Sequence, residues 1–221
     1  MKFYLILKRH NKYFIASILT MLFVNDAIAQ HIQPIQVNGV FPSMTIRSDD
    51  VASVRSETGI GALMPWANKL WAISYVAHSE GKGIGLYEIS EDMTMRKHPA
   101  SVTGTYANRM VHQQSDQAII GPHIISVQGN VRTFSELTKH RLTATMTHLS
   151  NPDSLVYFLT MEGLLFEANV YSLKTKVIAD LVSEFYSKDY NTLRKQGIYI
   201  HFKGGYTGNG RVVVANNSYQ N

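Results

Sequence analysis

The chain has 221 residues, 45% of them hydrophobic and 17% charged, with no cysteine. This balance excludes a collagen-like, coiled-coil, disulfide-stapled or disordered protein, and the length allows one domain, or two small ones, with a sizeable core. The formal net charge of +5 points to an acidic partner such as nucleic acid, until its distribution is examined.

That charge is concentrated at the start of the chain. Lys2, Lys8, Arg9 and Lys12 precede the apolar stretch Tyr13–Val24, and Ala27-Ile28-Ala29 follows as a small-x-small site. Residues 1–29 are therefore expected to form a secretory signal cleaved after Ala29, since twelve apolar residues fall short of the ~20 that span a bilayer. The expected address is periplasmic or extracellular, with membrane contact only through export. Removing this segment takes away four cations and one acid, so the other 192 residues carry +2. Later Lys and Arg residues are scattered singly, and no nucleic-acid partner is expected. An exported chain without cysteine must be stable without disulfides.

Residues 30–58 read as a polar lead-in punctuated by Pro34, Asn38-Gly39 and Phe41-Pro42. From Gly59 the texture changes to short apolar runs between turns. Four β-branched or aromatic runs stand out: Leu70–Val76, Gln117–Ile120, Leu155–Leu159 and Arg211–Ala215. Each is preceded by a candidate first strand, namely Gly61–Trp66, Asn108–His112, Leu142–His148 and His201–Thr207. The first three are followed by an alternating strand (Ile84–Ile89, His123–Val127, Leu164–Tyr171) and a short outer one (Thr94–Lys97, Val131–Phe134, Lys176–Ala179).

The strong runs start near Leu70, Ala118, Leu155 and Arg211, with steps of 48, 37 and 56 residues. Their mean of 47 lies within the ~40–50 residues of a propeller blade. The long last step is explained by Ile178, Leu181, Val182 and Phe185, which share one face of a short inserted helix running to about Leu193. The expected fold is all-β over residues 59–221: β-propeller-like four-stranded blades, about three and a half of them, with one inserted helix. Such a ring is incomplete, so the missing remainder of the propeller is itself an expected partner.

The segments Asn38–Pro42, Thr58–Trp66, Gly85–Ile89, Gly104–Arg109, His201–Thr207 and Arg211–Asn217 resemble the N-terminal portion of a family of long exported bacterial β-propeller proteins. The resemblance spans nearly all of the chain after Ala29. It implies a propeller of the WD40/YVTN-repeat kind, similar to envelope propellers that handle saccharides, and it brings no catalytic signature. Members of that family would continue for several more blades.

Trp66, His112, His148 and Tyr206 occupy matching places, where the first strand of a unit turns into the second, and Arg109, His201 and Lys203 lie just before them. Aromatic rings stack on sugar C–H faces and arginine pairs with carboxylate or sulfate, so this set suits a saccharide or another small polar ligand. The plainer reading is that these residues close turns and pack between units. The expected function is binding, or helping to process, saccharides on a channel face; the alternative is a protein-interaction or structural propeller without catalysis. Of the acids, Glu88 and Glu167 read as outward strand positions, while Glu80 and Glu162 lie on loops, and no spacing implies the paired carboxylates of a glycosidase. No cofactor is expected. No His-Glu-x-x-His motif or cysteine ligand is present, which leaves convergence of His112 and His148 as the sole metal reading. The glycine-rich stretches 81–85 and 204–210 read as turns rather than phosphate loops.

Overall fold

Alternating and fully apolar runs bounded by turn residues become strands here, and nearly every strand expected from the sequence forms. A computed structural model describes residues 59–76 and 85–220; the expected signal segment (1–29), the lead-in (30–58), Glu80 and most of the 81–85 glycine stretch lie outside the described residues. The described residues fall within one unit, Pro42–Asn221.

The first sheet comprises β1 (Gly59–Trp66), β2 (Lys69–Tyr75), β3 (Leu86–Ile89) and β4 (Met95–Lys97) in that order. The second comprises β5 (Arg109–His112), β6 (Gln117–Ile120), β7 (His123–Ser126) and β8 (Val131–Thr133). The third comprises β9 (Leu142–Thr147), β10 (Leu155–Thr160), β11 (Leu164–Asn169) and β12 (Thr175–Asp180). All pairings within these sheets are antiparallel, and each sheet is a meander in which sequence neighbours are also spatial neighbours. A two-stranded ribbon follows: β13 (Ile198–Tyr199) and β14 (Phe202–Gly208) run against β16 (Tyr219–Gln220) and β15 (Arg211–Asn216). The chain is thus all-β with several four-stranded antiparallel sheets, which are not closed.

The inserted helix departs from expectation. Two short helices form, α1 (Leu181–Tyr186) and α2 (Tyr190–Lys195), and Ile178 belongs to β12 instead. The Asp180 side chain caps α1 by accepting from the Val182 and Ser183 amides, and Asp189 caps α2 through Thr192. Between them Ser187 adopts the left-handed conformation, φ 52°, which ends α1 one turn after Leu181 and Val182 have been buried.

The strong apolar runs form the second strand of each sheet, and their side chains supply much of the core. One cluster joins Trp71 and Ile73 of β2, Ile119 and Ile120 of β6, and Val156 and Phe158 of β10. A second joins Leu159 of β10 and Leu165 of β11 to Val182, Leu193 and Phe202. Successive sheets are also stitched through backbone. The Tyr106 amide donates to the Ser74 carbonyl (3.3 Å), and the Ala107 amide donates to Leu142, whose own amide donates to Thr105 (both 2.9 Å). The Phe202 amide repeats the device on Met161 at 2.9 Å.

Backbones meet this closely only where side chains are small. A Cβ on Gly61 of β1 would overlap the Tyr106 carbonyl, and one on Gly205 of β14 would lie 2.6 Å from the Met146 sulfur. Backbone cannot yield, whereas a methionine chain can. Gly61→Ala is therefore expected to cost about 3 kcal/mol or more and Gly205→Ala about 1 kcal/mol, read as a larger fall in the urea midpoint for Gly61→Ala; equal falls would contradict this account of the junctions.

A buried histidine sets the acid response. His123 of β7 is fully buried, its Nδ1 lies 2.9 Å from the Thr133 hydroxyl, and its Nε2 has no partner. Burial, and then the nearby His98, pushes its pKa down to about 4. The unfolded chain takes up this proton near pH 6.5 and the folded chain does not, so the stability is fully present above pH 6.5 and is lost as pH falls toward about 4. The loss amounts to about 3 kcal/mol. Urea unfolding at pH 7, 5.5 and 4.5 is expected to show this decline, with a shallower slope in His123→Asn.

Candidate functional site

The first strands of the second and third sheets and of the ribbon, β5, β9 and β14, come together around a groove of about 610 Å³. Strand alternation explains how β9 serves both neighbours. Its residues Ala144 and Met146 face Gly205 of β14, while Thr145 points toward β5 and receives a 2.7 Å hydrogen bond from the Asn108 amide nitrogen. Asn108 also donates to the Gly121 carbonyl at 2.9 Å, which leaves its buried Oδ1 without a partner in the groove wall. Thr143, Thr147 and Thr207 add hydroxyls, and the glycines at 204 and 205 leave the β14 side open.

Two of the sequence-derived site residues reach this groove. Arg109, the first residue of β5, is exposed, lines the wall and has no ion-pair partner among the described residues. Tyr206 of β14 lies at the rim with 81% of its surface exposed. Among the described residues, no carboxylate lines the groove.

The other five lie elsewhere. Trp66 is half-buried at the end of β1, where its indole N–H donates to the Ser126 carbonyl (3.0 Å) and its own carbonyl accepts from Trp71 (3.0 Å). His112 is fully buried at the end of β5. Its Nε2 donates to the Pro152 carbonyl, a bond from the second sheet to the third, and its Nδ1 meets the Ser115 hydroxyl, both at 2.7 Å. His148 follows β9 and is also buried. Its Nδ1 accepts from the Ser150 and Asn151 amides (3.1 and 2.9 Å), which assigns the proton to Nε2, 3.0 Å from Glu167. Its ring packs 4.4 Å from that of Tyr157. His201 is buried with its ring edge against Tyr219, and Lys203 is exposed as the extra residue of a bulge in β14.

Tyr206 is also out of step with its supposed equivalents. Trp66 and His112 directly precede their turns, whereas β14 runs two residues past Tyr206 to the Asn209-Gly210 turn. Both turn residues have positive φ, as a type I′ hairpin requires. Counting back from that Asn-Gly pair would have aligned Gly208, not Tyr206, with Trp66. The groove threonines were legible as a polar face, Thr143-x-Thr145-x-Thr147, but their convergence with Asn108 was not.

The acids are engaged outside the groove. Glu88 pairs with Lys69 and, at 3.6 Å, with Arg96; the Lys69 hydrogen bond outweighs desolvation and holds its carboxyl below the usual range. Glu162 pairs with Arg141, whose guanidinium also donates to the Tyr190 hydroxyl at 3.3 Å. Among the described residues, no three histidines or carboxylates gather as a metal site would need.

The contacts of His112 make it a staple between sheets. Its replacement by alanine removes the bond to the Pro152 carbonyl, leaves the Ser115 hydroxyl with Gln117 as its remaining partner and opens a void, at a cost of about 2–4 kcal/mol. Urea unfolding of His112→Ala is expected to show that loss, while ligand titration well below the transition matches the parent chain. A weakened ligand with unchanged stability would place the imidazole in a binding site instead.

Compared with protein-family models and with curated proteins, the chain finds no match in either.

Proposed function

We propose that the protein is an exported β-propeller module that binds an anionic saccharide in the groove between β5, β9 and β14. The observation that carries this reading is the placement of Arg109, without an ion-pair partner among the described residues, and the exposed aromatic face of Tyr206 along a groove whose described lining carries hydroxyls and no acid. A carboxylate or sulfate would receive paired hydrogen bonds from Arg109. A pyranose ring would stack its C–H face on Tyr206, and its hydroxyls would exchange hydrogen bonds with Thr145, Thr147 and Thr207.

The reading favours binding over processing. Hydrolysis of a glycosidic bond needs two carboxyl groups flanking it, and the lining supplies none. Export is supported by the n-region, apolar core and Ala-x-Ala site of residues 1–29, and a propeller by the four-stranded meanders whose first strands sit side by side.

Isothermal titration with a uronate oligosaccharide and with its neutral counterpart tests the proposal. The uronate is expected to bind more tightly, with an affinity that weakens as salt rises. Arg109→Ala is expected to remove at least tenfold of that affinity, since a hydrogen bond to a charged group contributes about 1.5–3 kcal/mol. Tyr206→Ala should weaken both ligands alike. Equal affinity for the two sugars, or binding indifferent to Arg109, would overturn the reading.

A further inference from the structure

The threonines of β9 that line the groove differ in what their hydroxyls have left to offer. Thr143 donates to the Leu159 carbonyl of its own sheet at 3.2 Å, so its proton is spent. Thr145 is set the other way, because its oxygen accepts from the Asn108 amide nitrogen at 2.7 Å. The orientation of that amide follows from its second contact. At 2.9 Å lies the Gly121 carbonyl, in the turn between β6 and β7, which can only accept; the atom facing both partners is therefore the nitrogen. Asn108 is 1% exposed, and its Oδ1 has no partner. A buried acceptor left unpaired is costly, and here that cost accompanies two committed donors. One anchors the amide on the second sheet, and the other reaches across to the third.

The Thr145 hydroxyl has no acceptor for its own proton among the described residues, and its half-buried side chain lines the groove. A hydroxyl that accepts one hydrogen bond turns its proton away from that donor, here toward the groove. We propose that Asn108 is a positioning residue: it holds the Thr145 hydroxyl as a donor, and Thr145 gives that hydrogen bond to the acid group of the bound saccharide. This rests on the reading of the groove as an anionic-saccharide site. A carboxylate or sulfate oxygen can only accept, so it matches a committed donor. A sugar hydroxyl in the same place must also find an acceptor for its own proton. Arg109, which follows Asn108 in the chain, lines the same groove and supplies further donors. Asn108, almost wholly buried, acts through Thr145 alone.

Isothermal titration with a uronate oligosaccharide and with its carboxyl-reduced form tests the proposal on Thr145→Val, Thr145→Ser, Asn108→Ala and the double variant Asn108→Ala/Thr145→Val. Thr145→Val is expected to weaken the uronate by about three- to tenfold and the reduced sugar by much less. Thr145→Ser keeps the hydroxyl and retains the parent's preference. Asn108→Ala is expected to weaken the uronate selectively in the parent chain and to add nothing in the Thr145→Val background. A loss by the same factor for both sugars, or in both backgrounds, would make Asn108 a structural fastener and sink the proposal. If Asn108→Ala does not fold, the two Thr145 variants still decide the matter. Uronate binding that depends on Arg109 but ignores Thr145→Val would refute this role and leave the groove as a saccharide site; no uronate binding by the parent chain would end both.

Discussion

The structure depends on how closely the first strand of one sheet approaches its neighbour. At Gly61 the gap admits no side chain, because the Tyr106 carbonyl occupies the space a Cβ would take. Tyr106 in turn donates its amide to Ser74, so the segment between the first and second sheets is held by backbone on both flanks. The same logic recurs where the Ala107 amide and the Thr105 carbonyl bond to Leu142 of the third sheet, and where the Phe202 amide donates to Met161. Buried amides and carbonyls must be paired, and these pairings leave little freedom to slide one sheet against the next. The core clusters then fill the space behind junctions whose geometry backbone has already set.

Polar side chains reinforce those junctions at the turns, which accounts for the fate of the histidines. A buried imidazole is tolerated when its nitrogens find partners, and His112 finds one across a sheet boundary at Pro152 while His148 finds its own within the third sheet. Trp66 does likewise, with an indole N–H on Ser126 of the second sheet. Arg132 extends the pattern, with donations to Gln117 of its own sheet and to the carbonyls of Val170 and Tyr171 of the next. Each of these groups is engaged by the fold, whereas Arg109 has no ion-pair partner among the described residues. The difference between these fasteners and Arg109 is whether the side chain's hydrogen-bonding capacity is already used there.

Much of the fold was legible because local rules act over a few residues. The runs Leu70–Val76 and Leu155–Leu159 announce interior strands by β-branched and aromatic content, and Asn209-Gly210 announces a hairpin. The helical face of Ile178, Leu181, Val182 and Phe185 misled because Ile178 is the bulged residue between Val177 and Ala179, which pair with β11, and the helix starts only at the Asp180 cap. Side-chain identity hinted at the site, but placement did not follow from it. Arg109 and Tyr206 share a groove through strands almost a hundred residues apart, and the bulge at Lys203 and the two residues beyond Tyr206 are set by pairing with β15. His112 and His148 sit at matching turns but fasten differently, one to Pro152 of the next sheet and the other to Glu167 and its own turn, and sequence alone cannot separate either from a ligand ring.

The hairpin of β14 and β15 links these themes, because its two faces answer to different partners. Val212, Val214 and Gly205 face the third sheet and its core, so that face is committed. Tyr206 and Val213 stand opposite each other on the free face, one at the groove rim and the other beside an edge with no further strand among the described residues. Tyr206, 81% exposed and preceded by Gly204 and Gly205, has few neighbours to hold its ring, so fixing that ring in one rotamer costs conformational entropy.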